Sequence, residues 1–228
     1  MKHIGIVGCS AEGAALCYRT ICSEGAERLG AHVHPDISMH TPSLSRYVAC
    51  LEAGDINGVA DLMLDSARRL EHAGADFLIC PDNTIHQAFP LLTGRSPLPW
   101  VHIAEAVTAA AVESGYTKLG ITGTRWLVES DVYPEKLEAE GIAWQRPSPE
   151  EIEEAARIIM DELVPGIIRP SSVAYFRNVI EGLKGAGCDA VILGCTEIPL
   201  IVNDANSALP VLDSTRLLAR AALDAACA

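Results

Sequence analysis

The chain has 228 residues, 49% of them hydrophobic and 21% charged, enough for one large globular domain or two small ones. Its formal net charge of -13 repels polyanions, and no basic or aromatic stretch reads as a nucleic-acid surface, so nucleic acid is excluded as a partner. Gly5, Gly8, Ser10 and Glu12 interrupt any leader-like apolar core and no long apolar run follows, so a cytoplasmic chain with no membrane partner is expected.

In chain order, apolar runs of strand length alternate with stretches of helical periodicity. Residues 3–8 read as a strand ending in glycine, followed by a helix over Ala11–Leu29 that Gly30 stops. His32 and His34 alternate along a segment that reads as a strand. Val59, Met63, Ala67 and Leu70 share one helical face, with Gly74 where a C-terminal cap belongs. Residues 77–80 form a buried strand, 98–103 another, 104–114 a helix and 118–123 the next strand. Ser148, Pro149 and Glu151 make a capping box opening a helix that runs to about Leu163. A helix over 171–185, a strand over 190–194 and a last strand at 211–215 complete the series. This alternation specifies an α/β fold with parallel sheet between helices.

An internal repeat organises these elements. Residues 70–85 set over 183–198 need no gap, and Leu70/Leu183, Ala73/Ala186, Gly74/Gly187, Asp76/Asp189, Ile79/Ile192 and Ile85/Ile198 are identical at an offset of 113. Residues 3–8 over 118–123 match at Gly5/Gly120, Ile6/Ile121 and Gly8/Gly123 at an offset of 115. The alternative, that helix-glycine-strand units look alike in any α/β protein, accounts for either pair alone better than for both in one order. Two pseudo-symmetric lobes are expected, one from residues 1–100 with 211–228, the other from 101–210. Strand ends in open parallel sheets are where ligands bind, so a cleft between the lobes is the expected site, with Asp82 and Cys195 at equivalent strand-end positions.

The eight cysteines contain no C-x-x-C pair, which removes the zinc-ribbon and thioredoxin readings, and most are expected to be small core residues. His32, His34, Asp36 and His40 invite a metal reading, but a surface strand explains them equally and no metal is expected. Lys2, Lys118, Lys136 and Lys184 sit at element edges, leaving no lysine placed for a Schiff base. A thiol with a reference pKa of about 8.5 can act as acid or base near neutrality, and a helix start favours its thiolate. Two lobes presenting one proton-transfer group each can take a proton from one face of a carbon and return it to the other.

These residues carry a resemblance. Gly194–Ile198, read as GCTEI after AVIL, resembles the second cysteine motif of the aspartate/glutamate racemase superfamily, and DNTIH from Asp82 resembles the first, usually C-N-T-x-H. MKHIGIVG, PWVHIAEA and LGITGT are similar to family segments, so the likeness runs along nearly the whole chain. It implies a cofactor-independent amino-acid racemase, a homodimer, and a small amino acid or dicarboxylate as substrate. Cys195 and Asp82 take the catalytic positions, with Asp82 where the family has a cysteine. Cys80, two residues earlier and about 6–7 Å deeper along a strand, reads as core. An ionised carboxylate takes a proton but cannot give one, so Asp82 raises two alternatives within the same superfamily, a single-cysteine decarboxylase or a cis-trans isomerase of a dicarboxylate. A third alternative is a lobe pair that only binds a small acid.

Asn83, Thr84 and Thr196 follow the catalytic positions and can hold a carboxylate or simply cap a turn. Thr124 and Ser10 stand at matching strand-to-helix turns, with the same two readings. Arg46 is the candidate carboxylate clamp, or a solvated arginine. Some relatives carry a lysine where Val164 stands, and Arg169 is the candidate replacement. Glu197 reads more simply as a helix-dipole partner than as a catalytic group, and His86 and His102 as structural histidines.

Overall fold

In the computed structural model, which describes residues 1–228, the first strand, β1 (Ile4–Val7), is buried at all four positions, as a strand covered on both faces must be. It pairs in parallel with β2 (Ile37–His40) on one side and β3 (Phe77–Ile79) on the other, and β3 pairs with β4 (Trp100–Val101), giving the order β2-β1-β3-β4. Strand alternation sorts the side chains to two faces. Val7, Leu78 and Cys80 pack with Val59, Met63 and Leu70 of a helix, whereas Ile4, Ile6, Phe77 and Ile79 pack with Cys17 and Ile21 of another. The second of these helices is α1 (Ala11–Leu29), ended by Gly30 at a φ of 116°. After α2 (Leu44–Glu52) comes the first of them, α3 (Ile56–His72). The helix α4 (Ile103–Ser114) follows β4.

The second sheet repeats the plan. β5 (Lys118–Thr122) lies between β6 (Ala143–Gln145) and β7 (Ala190–Leu193), and β8 (Val211–Asp213) pairs with β7, all parallel, in the order β6-β5-β7-β8. Around it run α5 (Arg125–Val128), α6 (Pro134–Ala139), α7 (Pro149–Ile158) and α8 (Pro170–Gly185). The capping box at α7 forms in both directions: Ser148 Oγ accepts the Glu151 N–H at 3.3 Å, and Glu151 Oε2 accepts the Ser148 N–H at 2.8 Å. The last helix, α9 (Ser214–Cys227), contributes Leu218, Ala222 and Leu223 to the core that also holds Ile4, Ile6 and α1. The chain divides into two compact units, Met1–Ala106 with Thr215–Ala228, and Val107–Ser214.

Three of the identical pairs in the repeat have a shared structural cause. A Cβ on Gly5 would stand 2.7 Å from Leu78 and 3.3 Å from Leu70, and one on Gly120 would stand 2.7 Å from Leu183, so each first strand needs glycine for its leucine to seat. Gly74 and Gly187 both adopt the left-handed conformation, at φ 89° and 87°. Asp76 then accepts the His3 N–H at 2.6 Å, and Asp189 accepts the Thr117 N–H at 2.7 Å, fastening each second strand to the start of the first.

Two sequence expectations are corrected, and a third, the helix running to about Leu163, holds with a change of helix type. The last strand, expected at 211–215 in the first lobe, spans Val211–Asp213 and pairs with β7 in the second sheet, with Leu212 opposite Ile192; beyond it, only residues from Thr215 on belong to the first unit. His32 and His34 lie outside any strand: His32 sits in a turn at φ 67° and the strand begins at Ile37. The helix opened by Ser148 leaves α geometry at Ile158 and runs on as a π turn over Ile159–Leu163, placing the buried Glu162 against Ser172, Arg157 and Arg169.

Candidate active site

In the first unit the chain leaves β3 through Cys80 and Pro81 into the turn Asp82–Asn83–Thr84, which opens a 3-10 helix over Thr84–Leu92. Asp82 Oδ1 accepts the Thr84 N–H at 3.2 Å, so the carboxylate is oriented by its own turn. His86 Nδ1 lies 2.7 Å from the Asp82 carbonyl oxygen. A carbonyl only accepts, so Nδ1 carries the proton and Nε2 accepts the Ile103 N–H at 3.4 Å. Burial, followed by the neighbouring His102, holds His86 well below the ordinary histidine range, so its ring is neutral. The ring stacks on Phe89 at 5.5 Å and meets His102 edge-on at 4.6 Å, and it acts as a strut between the Asp82 turn and the start of α4.

Asn83 and Thr84 are buried beside Asp82, and the Asn83 side chain makes no helix-capping bond. Cys80 is fully buried in the core; burial first, then the Asp82 charge, pushes its thiol well up. Ser10, after the neighbouring β1, caps α1 by accepting the Gly13 N–H at 3.2 Å. Arg46 stands apart from this turn: it is exposed on α2, in a groove of about 430 Å³ lined by Cys50, Asp61 and Asp65, and no hydrogen bond or ion pair joins it to Asp82.

In the second unit β7 ends at Leu193 and the chain turns through Gly194, Cys195, Thr196 and Glu197 into a short 3-10 turn, Ile198–Leu200. Gly194 is required by close approach: a Cβ there would stand 2.5 Å from the Thr122 carbonyl oxygen, which already accepts the Gly194 N–H at 2.9 Å. Cys195 is 7% exposed and Glu197 4%. The Cys195 thiol donates to Glu197 Oε2 at 2.9 Å, and the Thr196 hydroxyl donates to the same oxygen at 2.7 Å. Thr124, after the adjacent strand β5, caps α5 by accepting the Leu127 N–H at 3.3 Å.

The structure thus gathers Asp82, Asn83 and Thr84 in one turn, and Cys195 and Thr196 in another, with Ser10 and Thr124 at neighbouring strand ends. Glu197 was read from the sequence as a dipole partner, but a three-residue turn has almost no dipole, and the carboxylate is instead bonded to the candidate thiol. The C-T-E spacing was the available signal, since in a tight turn residue i+2 folds back on residue i. No group of three His, Cys, Asp or Glu side chains is arranged to hold a metal, and no helix is long and apolar enough to cross a membrane. Chemically, the two turns offer a half-buried carboxylate at Asp82 and a buried thiol at Cys195 with the Glu197 carboxylate against it, each at a strand end.

A family model described as Asp/Glu/Hydantoin racemase matches residues 6–222. The chain belongs to this family. Among solved structures of such proteins, a putative Asp/Glu racemase from Yersinia pestis is 33% identical, with a TM-score of 0.91 and full coverage of both chains. An aspartate racemase homologue from Pyrococcus horikoshii is 27% identical, with a TM-score of 0.85 over the same full lengths. The broad specificity amino-acid racemase RacX of Bacillus subtilis is 24% identical over 69% of this chain and 68% of its own length. A glutamate racemase from Hydrogenobaculum is 30% identical over 64% of this chain, and the match spans 55% of that enzyme. The α/β fold with two parallel four-stranded sheets is that of the racemase structures.

Proposed function

We propose that this racemase-family protein interconverts the enantiomers of an acidic or related amino acid without a cofactor, with Asp82 and Cys195 as the proton-transfer groups acting on one substrate. The observation that carries the reading is their equivalence: within a chain that belongs to the racemase family, Asp82 and Cys195 occupy the same position of a duplicated unit, immediately after β3 and β7. The relatives named for aspartate, glutamate and broad amino-acid racemisation support that substrate class.

In this reading one group removes the α-proton as a base and the other returns a proton to the opposite face as an acid, and racemisation needs both. Ser10, Asn83, Thr84, Thr124 and Thr196 supply short polar side chains for the substrate carboxylate and ammonium, and Arg46 is the proposed outer clamp for a carboxylate. A cytoplasmic homodimer belongs to the same proposal. The test is a panel of amino-acid enantiomers incubated in deuterated buffer, with loss of the α-proton followed by NMR and chirality by chiral chromatography. Exchange coupled to inversion is expected for at least one acidic amino acid. No exchange from any enantiomer, with the protein folded, overturns the proposal. Carbon dioxide from a substituted malonate, or cis-trans conversion of a diacid, reassigns the site to the decarboxylase or isomerase chemistry that an Asp82 variant also admits.

A further inference from the structure

We propose that Glu197 is the positioning residue that keeps the reactive proton on Cys195, so that the resting site presents Cys195 as a thiol, the proton donor, and leaves proton abstraction to Asp82. The catalytic half of this statement rests on the racemase reading; the state of the thiol does not.

Glu197 is buried, no basic side chain pairs with it, and its two bonds, from Cys195 Sγ at 2.9 Å and Thr196 Oγ1 at 2.7 Å, converge on the single oxygen Oε2. An oxygen that accepts from two donors at once carries no hydrogen of its own, so the hydrogen between it and the sulfur belongs to the sulfur. A carboxyl group is intrinsically a much stronger acid than a thiol, so the carboxylate-thiol form is the one this bonding pattern favours. Removing the second proton would set a thiolate against a carboxylate at hydrogen-bond distance, a like-charge contact that disfavours it. The helix start expected to favour a thiolate is only the turn Ile198–Leu200, too short to compensate.

The repeat shows that this arrangement is particular to the second unit. At the offset of 113, Glu197 corresponds to Thr84 and Cys195 to Asp82. Each turn therefore carries one carboxylate, but in the first unit it is the reacting group itself and in the second it stands behind the reacting thiol. In the forward step Asp82 takes the α-proton, the electron pair stays on the substrate carbon, and the Cys195 S–H bond breaks to protonate that carbon, its electrons remaining on sulfur. The thiolate then faces the Glu197 carboxylate, which raises its demand for a proton, while Asp82 holds one. Both reset by proton exchange with water, so the two enantiomers meet unequal partners; because their equilibrium constant is one, the asymmetry shows as different kcat values with compensating KM values.

The test measures alkylation of Cys195 by iodoacetamide as a function of pH, resolved from the other cysteines by peptide mass spectrometry, in wild type and E197Q. Glutamine keeps the size and an acceptor oxygen but removes the charge. We expect the half-maximal labelling pH of Cys195 to lie above about 8.5 in wild type and to fall by about one unit or more in E197Q, which is roughly tenfold faster labelling at neutral pH. Unchanged or slower labelling in E197Q overturns the proposal. Buried Cys188 in the same unit reports on folding. Should its labelling rise with that of Cys195, the wild-type profile alone decides, and a midpoint below about 8.5 overturns the assignment. No substrate is used, so failure here is distinct from failure of the α-exchange experiment.

Discussion

Replacing Gly194 by alanine probes how tightly the chain is packed where it delivers Cys195. The new methyl would stand 2.5 Å from Leu127 Cδ2 and 2.5 Å from the Thr122 carbonyl oxygen. Leu127 can rotate, but Thr122 cannot retreat without stretching its bond to the Gly194 N–H and disturbing the β5–β7 register that pairs Thr122 with Leu193. Overpacking costs about 1–3 kcal/mol and a compromised backbone bond about 1 kcal/mol more, for a total of about 2–4 kcal/mol. In a chain of this length that lowers Tm by on the order of 4–16 °C. The control is Gly185→Ala at the end of α8, where no neighbour lies within 4 Å of the added methyl. There alanine gains about 0.5–1 kcal/mol because it restricts the unfolded chain. Thermal unfolding followed by circular dichroism reads both, with Cys195 labelling on the same samples. Gly194→Ala melting together with wild type would refute the reasoning, since it would mean that Thr122 and Gly194 are not held as close as 2.9 Å in solution.

His86 is neutral in the folded chain because burial and then His102 hold it well below its ordinary range, whereas the unfolded chain protonates it below about pH 6.5. Its contribution to stability is therefore complete above about pH 6.5 and is lost as pH falls from there toward the depressed folded value, at up to about 1.4 kcal/mol per pH unit. His86→Asn keeps a donor for the Asp82 carbonyl and should flatten the acid-side fall in Tm; parallel Tm-against-pH curves for the two proteins would contradict the strut. Asp82→Asn should slow α-proton exchange by about 10²- to 10⁴-fold for the enantiomer that hands its proton to Asp82, measured by NMR in deuterated buffer. Cys80→Ala, in contrast, should cost about 1 kcal/mol of stability and leave exchange per folded molecule unchanged; the opposite pattern would make Cys80 the reacting group.

The strands, helices and duplicated plan were legible because their causes are local and periodic. Gly5 and Gly120 admit leucines, Gly74 and Gly187 turn helices into strands, and Asp76 and Asp189 fasten strand starts, so these three identities in the repeat mark steric or hydrogen-bond requirements. The pairing of β8 was not legible, since a three-residue apolar strand carries no mark of which sheet it joins. The strand β2 was displaced in the sequence reading toward His32 and His34, because alternation of polar rings imitates a strand while Ile37–His40 is only partly buried. Asp82 and Cys195 could be located by repeat and motif. For the bond from Cys195 to Glu197 the C-T-E spacing was a signal but not a sufficient one, because the bond depends on a turn tight enough to fold a side chain back by two residues.

The first unit is discontinuous in the chain, and this orders its birth. Ile6 and Ile79 need Leu218, Ala222 and Leu223 as neighbours, yet those residues are made only after the whole of 107–214. At ribosomal speeds of about 5–20 residues per second, the face of the N-terminal sheet that α1 covers only in part waits on the order of ten seconds for the rest of its cover, while the continuous second unit completes its own interior. Nascent chains stalled before residue 215 should therefore bind hydrophobic dyes and chaperones through β1 and β3, and release them once α9 emerges.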